Sequence, residues 1–258
     1  MELQTIWFFL WGLLWALYFM TDGFDLGIGT LYPILGKSNA DKQTMINALG
    51  PLWDGNEVWL LTAGGVTFAA FPLVYAVMFS SLYAALMLIL FALIIRGVSF
   101  EFRNKIDSPA WIKVWDTCIF VGSIAPAILF GVASWFAAPL YQNYLESPIL
   151  FVVILGTVAA LMCIRLFLNR QSWFKTWFAS ALTIVGATFF GVIGLYPNLF
   201  PSSIDPAYNL SAHNASSSPL TLRIMLMVVI LFMPLVLAYQ IWTYFTSKDK
   251  VQQEDWMY

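Results

Sequence analysis

An all-α, polytopic transmembrane helical bundle of about seven transmembrane helices is predicted by three observations. Of the 258 residues, 60% are hydrophobic and only 10% charged, where a soluble domain carries about 25% charged residues. Mean hydropathy is +0.78. Seven apolar stretches are long enough to cross a hydrocarbon core, which takes about 20 residues in a helix.

The stretches fall near 5–33, 56–74, 76–97, 115–137, 148–168, 175–196 and 220–246. The first follows Met1-Glu2-Leu3-Gln4, which lacks the basic segment of a cleaved signal peptide, and reads as a permanent span. The second opens with Asp54, Asn56 and Glu57, and Pro72 parts it from the third with almost no loop, as in a tight helical hairpin. The polar stretches 36–56, 97–115, 137–147 and 199–218 read as loops. Residues 1–258 form a single integral membrane domain, with a four-helix bundle carrying a polar cluster over 1–140 and three further helices over 147–258.

Seven spans place the termini on opposite sides. With the N-terminus outside and the C-terminus inside, every lysine and arginine except Arg223 lies on the inner side. That is the positive-inside pattern, and six or eight spans would scatter the same charges over both faces. Trp7, Trp11, Trp111, Trp115, Trp135, Tyr141, Tyr196, Trp242 and Tyr244 stand near span ends, as interfacial anchors do. Gly23, Gly27 and Gly29 include a GxxxG step that permits close helix packing.

Several chemistries are excluded or unsupported. A net charge of −2 with mixed signs gives no sign of nucleic-acid binding. Cys118 and Cys163 lie in different apolar runs without a CxxC pattern and read as buried free thiols rather than a redox disulfide. The single histidine, His213, sits in the polar outer loop, so bis-histidine haem ligation and histidine-built copper or iron sites are excluded within this chain. No Walker motif, GxGxxG turn or nucleophile elbow is present. The chain offers no catalytic group, cofactor-binding residue or metal site of its own.

What lipid does not explain is the acids. An intramembrane charge costs at least about 2.5–3.5 kcal/mol, so a carboxylate inside a span requires a partner, a proton or a task. Asp22 and Asp25 stand three apart in the first span, and Asp54 and Glu57 three apart at the start of the second, a spacing that puts each pair on one helix face. Arg96 ends the third span and Asp116 opens the fourth. All lie in the inner half of the membrane or at its edge, where four helices can gather five carboxylates and one arginine. Two readings fit: a structural network clamped by Arg96, or a proton-conducting route from the inner side, since intramembrane carboxylate chains relay protons.

The run Thr21-Asp22-Gly23-Phe24-Asp25-Leu26-Gly27 resembles the first-helix signature of subunit II of the cytochrome bd-type ubiquinol oxidases. Asn47 and Pro51 with Trp53-Asp54-Gly55-Asn56-Glu57-Val58-Trp59, then Thr62-Ala63-Gly64-Gly65, Phe68-Ala69-Ala70-Phe71-Pro72, Arg96-Gly97-Val98-Ser99-Phe100-Glu101-Phe102-Arg103 and Trp115-Asp116 follow in the family's order. Phe200-Pro201-Ser202-Ser203 and Ser218-Pro219-Leu220-Thr221-Leu222 extend the likeness to the last helix. The chain resembles a short form, lacking one helical pair that longer members carry between the fourth helix and the last three.

The resemblance implies a non-haem-ligating subunit of a terminal quinol oxidase that oxidises quinol and reduces dioxygen to water. It implies a haem-bearing subunit I with two haems b and one haem d, a small accessory membrane subunit, a structural quinone, surrounding lipid, and a multi-pass location in the bacterial cytoplasmic (inner) membrane. By motif, Asp54 corresponds to the acid of the cytoplasmic proton path along the subunit boundary, Asp22, Asp25 and Glu57 support that path, Arg96 is a polar clamp, and Trp59 lies near the route by which dioxygen reaches the enzyme. Two other classes compete. A proton-coupled secondary transporter would use the same acids, but residues 1–116 have no repeat in 148–246. A scaffold would need the acids for assembly alone.

Overall fold

The computed structural model describes residues 2–135 and 140–246, with side chains described up to Leu129 and again from Leu140. Among the described residues ten α-helices run in order: α1 (Leu3–Leu35), α2 (Asn39–Leu49), α3 (Trp53–Ala70), α4 (Pro72–Ser81), α5 (Tyr83–Phe102), α6 (Pro109–Trp135), α7 (Gln142–Glu146), α8 (Phe151–Asn169), α9 (Trp173–Leu195) and α10 (Pro219–Thr246). Between α9 and α10 a small antiparallel ribbon pairs β1 (Asn198–Phe200) with β2 (Leu210–Ser211). Among the described residues, six helices are long and apolar enough to span a membrane. The count is seven if α3 and α4, bent by 119°, make one span. This is the predicted fold class. Lys248 and Lys250 of the inner-side charge set, and the Trp135 side chain, lie outside the described residues.

Three boundaries differ from the sequence-based expectation. Residues 39–49, read as loop, are helical because Ser38 and Asp41 form a reciprocal capping box: Asp41 N–H donates to Ser38 Oγ at 3.1 Å and Ser38 N–H to Asp41 Oδ2 at 2.9 Å. The Ser38 backbone N–H also holds the exposed Asp41 carboxyl below its ordinary value. The turn at Pro72 is not a simple hairpin. Pro72 has no N–H to continue α3 and instead opens the ten-residue α4, so the third apolar span lies at Tyr83–Phe102 rather than 76–97. The fourth begins at Pro109 rather than 115.

The chain forms two compact units, each drawn from three stretches. The first holds Met1–Thr21, Trp59–Met78 and Ala137–Leu226. Side chains here satisfy helix ends and stitch helices by hydrogen bonds. Ser217 donates through Oγ to Ala69 O (2.6 Å) and through its N–H to Ala70 O (2.8 Å), closing the carbonyl end of α3 at its break. Asn143 on α7 caps α9, donating to Ile193 O at 2.7 Å and Tyr196 O at 2.5 Å. Tyr144 donates to Phe190 O at 2.8 Å, and burial raises its phenol to about 12. Trp7, expected at the interface, is fully buried with its Nε1 donating to Leu222 O at 3.0 Å, and Trp11 Nε1 donates to Thr67 Oγ1 at 2.8 Å. An indole N–H inside lipid finds an acceptor in a neighbouring helix, so these two are packing residues. Tyr141 and Trp242, in contrast, are exposed as anchors should be.

The second unit holds Asp22–Val58, Phe79–Phe136 and Met227–Tyr258. Its apolar core joins Tyr32, Ile46, Leu49, Phe100 and Ile119. Helices close up where a side chain is missing. A Cβ on Gly122 would stand 2.5 Å from Ala92 O and 2.8 Å from Arg96 Cβ, and one on Gly29 would strike the Ser123 hydroxyl. The close approach of α1 is therefore at Gly29, while Gly27 of the predicted GxxxG step faces open space. Cys118 and Cys163 are free thiols as expected, but each is partly exposed rather than buried. In the first unit, α8 buries none of its residues, and its apolar surface suits contact with lipid or another apolar chain.

Gly122→Val is expected to push α6 away from α5 and destabilise the protein by about 1–3 kcal/mol, the usual cost of overpacking. Thermal unfolding in detergent, compared with Gly27→Ala as a tolerated control, measures it.

Candidate functional site

The polar residues of the second unit are arranged in two nodes, and the deeper one is built on Arg96. Its side chain is completely buried near the end of α5, where the bare backbone of Gly122 allows α6 to lie against it. One nitrogen, Nη2, donates both to Asp22 Oδ1 at 2.7 Å and to Glu57 Oε1 at 2.6 Å. Asp22 is completely buried on α1, and Glu57 retains 24% exposure at the start of α3. One turn along α1, Asp25 accepts a 2.9 Å hydrogen bond from Asn56 Nδ2. Asn56 Oδ1 accepts from two residues of α10, Gln240 Nε2 at 3.2 Å and Tyr244 Oη at 3.0 Å. Arg96 Nε and Nη1 and Asp22 Oδ2 have no hydrogen-bond partner among the described residues.

The second node is built on Asp116, on α6. Its Oδ1 accepts from Tyr32 Oη at 2.9 Å and Arg103 Nε at 2.6 Å, and its Oδ2 from Lys42 Nζ at 2.6 Å. Arg103 Nη2 also reaches Asn39 Oδ1 at 3.2 Å. One carboxylate thus joins α1, α2, the end of α5 and α6. It opens on a cleft of about 500 Å³ lined by Tyr32, Lys42, Asp107, Lys113 and Asp116.

The sequence-based expectation of one region holding five carboxylates and one arginine is corrected here. Asp22, Asp25, Glu57 and Arg96 come together. Asp116 belongs to the second node with a different arginine. Helical spacing explains the division. Asp22, Asp25, Gly29 and Tyr32 follow one face of α1, and Asp22 and Tyr32 are roughly 15 Å apart along it. Phe100 stands on α5 between Arg96 and Arg103, Ile119 stands on α6 between Asp116 and Ser123, and both pack with Tyr32 in the apolar core. An apolar layer therefore separates the nodes. Asp54 joins neither: it is exposed in the first turn of α3. Trp59, the next residue after the exposed Val58, is buried at 3% exposure.

Sequence reasoning passed over Gln240 and the Asn56 amide, and read Tyr244 as an interfacial anchor. The available signal was Gln240, a lone amide in the apolar helix Pro219–Thr246, four residues from Tyr244 and so on its face. His213, read as a solvated loop residue, is partly exposed with Nδ1 at 3.3 Å from Glu2 Oε2. Among the described residues no group of three His, Cys, Asp or Glu side chains is arranged to hold a metal ion.

Asp116→Asn should weaken the Lys42 and Arg103 contacts together and loosen α2, at a cost of about 1.5–3 kcal/mol for a charge-assisted hydrogen bond. Faster proteolysis within Asn39–Leu49 is the expected readout, and a wild-type cleavage rate would contradict it.

Residues 3–140 and 132–247 match the family of cytochrome bd terminal oxidase subunit II. The chain is 30% identical to a probable cytochrome oxidase subunit 2 of Haemophilus influenzae, covering 94% of this chain and 93% of that one. It is 28% identical to the cytochrome bd ubiquinol oxidase subunit 2 of Bacillus subtilis, over 98% of each chain. Those alignments run to 353 and 336 positions, beyond the 258 residues here, so both relatives carry inserted segments without counterpart in this chain. A shorter stretch, 51% of this chain and 35% of the relative, is 47% identical to the cytochrome bd-I ubiquinol oxidase subunit 2 of Escherichia coli. The buried acids, the arginine that joins them and the motifs that carry both are therefore those of a chain that belongs to the cytochrome bd terminal oxidase subunit II family.

Proposed function

We propose that this multi-pass membrane protein is the partner subunit that feeds protons toward the oxygen-reducing centre of a bd-type quinol oxidase, while the haem-bearing subunit I carries the redox chemistry. Family membership implies a subunit I and haem in the oxidase complex. The donor set of this chain does not fit a bis-histidine haem, with one histidine already facing Glu2. No step is assigned to haem in this chain; the two haems b and the haem d of the proposal belong to subunit I. The substrates of the complex are quinol and dioxygen, and its setting is the bacterial cytoplasmic membrane with the N-terminus outside and the C-terminus inside.

The observation that carries the proposal is the sharing of one Arg96 nitrogen between Asp22 and Glu57. One guanidinium balances one carboxylate. Asp22, Asp25 and Glu57 make three, and a proton is the least costly counter-ion for those left over in a medium that penalises charge. The acids also form a gradient of burial: Asp54 is exposed, Glu57 is 24% exposed, and Asp22 is fully buried. Asp54 and Glu57 lie three apart on α3, within electrostatic reach of each other. Protons taken up at Asp54 from the inner aqueous phase pass by Glu57 to the buried pair, with Arg96 holding the route together. Asp54 begins an exposed series on α3, continued by Val58, Leu61 and Phe68 at helical spacing, a face suited to a subunit boundary. Trp59, on the same helix, is assigned to the route of dioxygen. A small accessory subunit and a structural quinone complete the proposed complex.

The test uses the complex purified through this chain. A coloured complex with haem b and haem d absorption, carried on a second membrane subunit, is expected; a colourless chain stable alone would overturn the proposal in favour of a proton-coupled transporter. Within that complex, Asp54→Asn should lower quinol oxidase turnover about tenfold or more with haem content unchanged. Normal turnover at full haem loading would remove Asp54 from the path. Arg96→Ala leaves buried carboxylates unpaired at about 3–5 kcal/mol, and should strip haem or dissociate the complex. An assembled, fully active Arg96→Ala enzyme would refute the clamp.

A further inference from the structure

The last helix reaches the acids through Asn56. A primary amide has two acceptor sites on its oxygen and two donors on its nitrogen. Both acceptor sites of Asn56 are filled from α10, by Gln240 Nε2 (3.2 Å) and Tyr244 Oη (3.0 Å), and a nitrogen proton points to Asp25 Oδ2 (2.9 Å). Asn56 is 1% exposed and Asp25 2% exposed, so no bulk solvent competes. The orientation matters. An amide can rotate so that oxygen and nitrogen exchange places. Unrotated, it presents an N–H to Asp25 and favours the carboxylate; rotated, it presents oxygen and favours the protonated acid. In the rotated state both α10 groups would have to reverse roles together, Gln240 by turning its own amide and Tyr244 by accepting through Oη, so the present donors favour the unrotated amide.

We propose that Gln240 and Tyr244 are positioning residues that lock the Asn56 amide and thereby set how readily Asp25 takes and releases a proton. This rests on the proton-path reading above. The other titratable or charged groups near Asp25 are Asp22 on its own helix, which acts through charge and a side-chain hydrogen bond, and Arg96 on α5, which acts through charge; Tyr244 itself is the one from α10. The Asn56 amide does not conduct the proton. It holds the acid that does.

The test compares Tyr244→Phe, Gln240→Leu, their combination and Asp25→Asn in the purified complex, reading haem content, the pH profile of quinol oxidase turnover, and the carboxylic C=O band in infrared difference spectra that Asp25→Asn removes. The combined variant should keep its haem, displace the pH profile toward higher pH by about one pH unit, and change the Asp25 band. Tyr244→Phe, which deletes one oxygen, is least able to disturb folding and should give a smaller displacement of the same sign. An assembled Tyr244→Phe complex with the wild-type profile and wild-type Asp25 band overturns the proposal, whatever the combined variant does. If Asp25→Asn itself leaves turnover and its pH profile unchanged, the proton-path reading fails for Asp25, and the lock falls with it. A changed Asp25→Asn profile beside unchanged α10 variants refutes the lock alone.

Discussion

The structure of the second unit depends on a guanidinium kept out of water. Arg96 is completely buried, in a chain whose surroundings are apolar on nearly every side. Such a group persists only if carboxylates come to it, and in lipid they must come from helices. Asp22 on α1 and Glu57 on α3 therefore fix where those helices stand relative to α5, and Gly122 lets α6 close over the arginine with no side chain between. Buried ion pairs are often replaceable by well-packed apolar residues at no loss of stability, whereas breaking one leaves an uncompensated charge.

The second node has the opposite character. Asp116 accepts from three residues on three elements and keeps 13% side-chain exposure beside an open cleft. Both carboxylate oxygens are engaged, by two cations and a phenol. That is the arrangement of a fastening at the membrane edge, tying α2 to the ends of α1, α5 and α6. Phe100 and Ile119 pack between it and Arg96, so the deep acids are sealed on this side and opened toward Glu57, where exposure begins.

Much of this was legible in the sequence because lipid is a severe filter. Apolar run lengths gave the spans, and a charged residue inside a run is conspicuous, which is why Asp22, Asp25, Glu57 and Arg96 were found. What escaped was decided by groups that are unremarkable in isolation. Ser38 and Asp41 turned a polar stretch into α2 through a local capping exchange. Ser217, from a distant segment, satisfies the carbonyls at the break before Pro72. Arg103 and Arg96 look alike in sequence, yet two turns of helix put them in different nodes. Tyr244 resembles any interfacial tyrosine until Asn56 is seen beneath its hydroxyl.

Whether the Arg96 node is a static clamp or a relay turns on how its bonds are made. A bidentate pair would engage both oxygens of a carboxylate and resist protonation, since adding a proton would break one bond of two. Here a single nitrogen serves Asp22 and Glu57 through one oxygen each, and Asp22 Oδ2 has no partner among the described residues. Either acid can take a proton on its second oxygen while the first keeps its contact with Arg96. The other acid then receives the larger share of the positive charge. Protonation would shift charge between the two carboxyls without dismantling the node, and a path that must pass one proton after another through lipid needs that property.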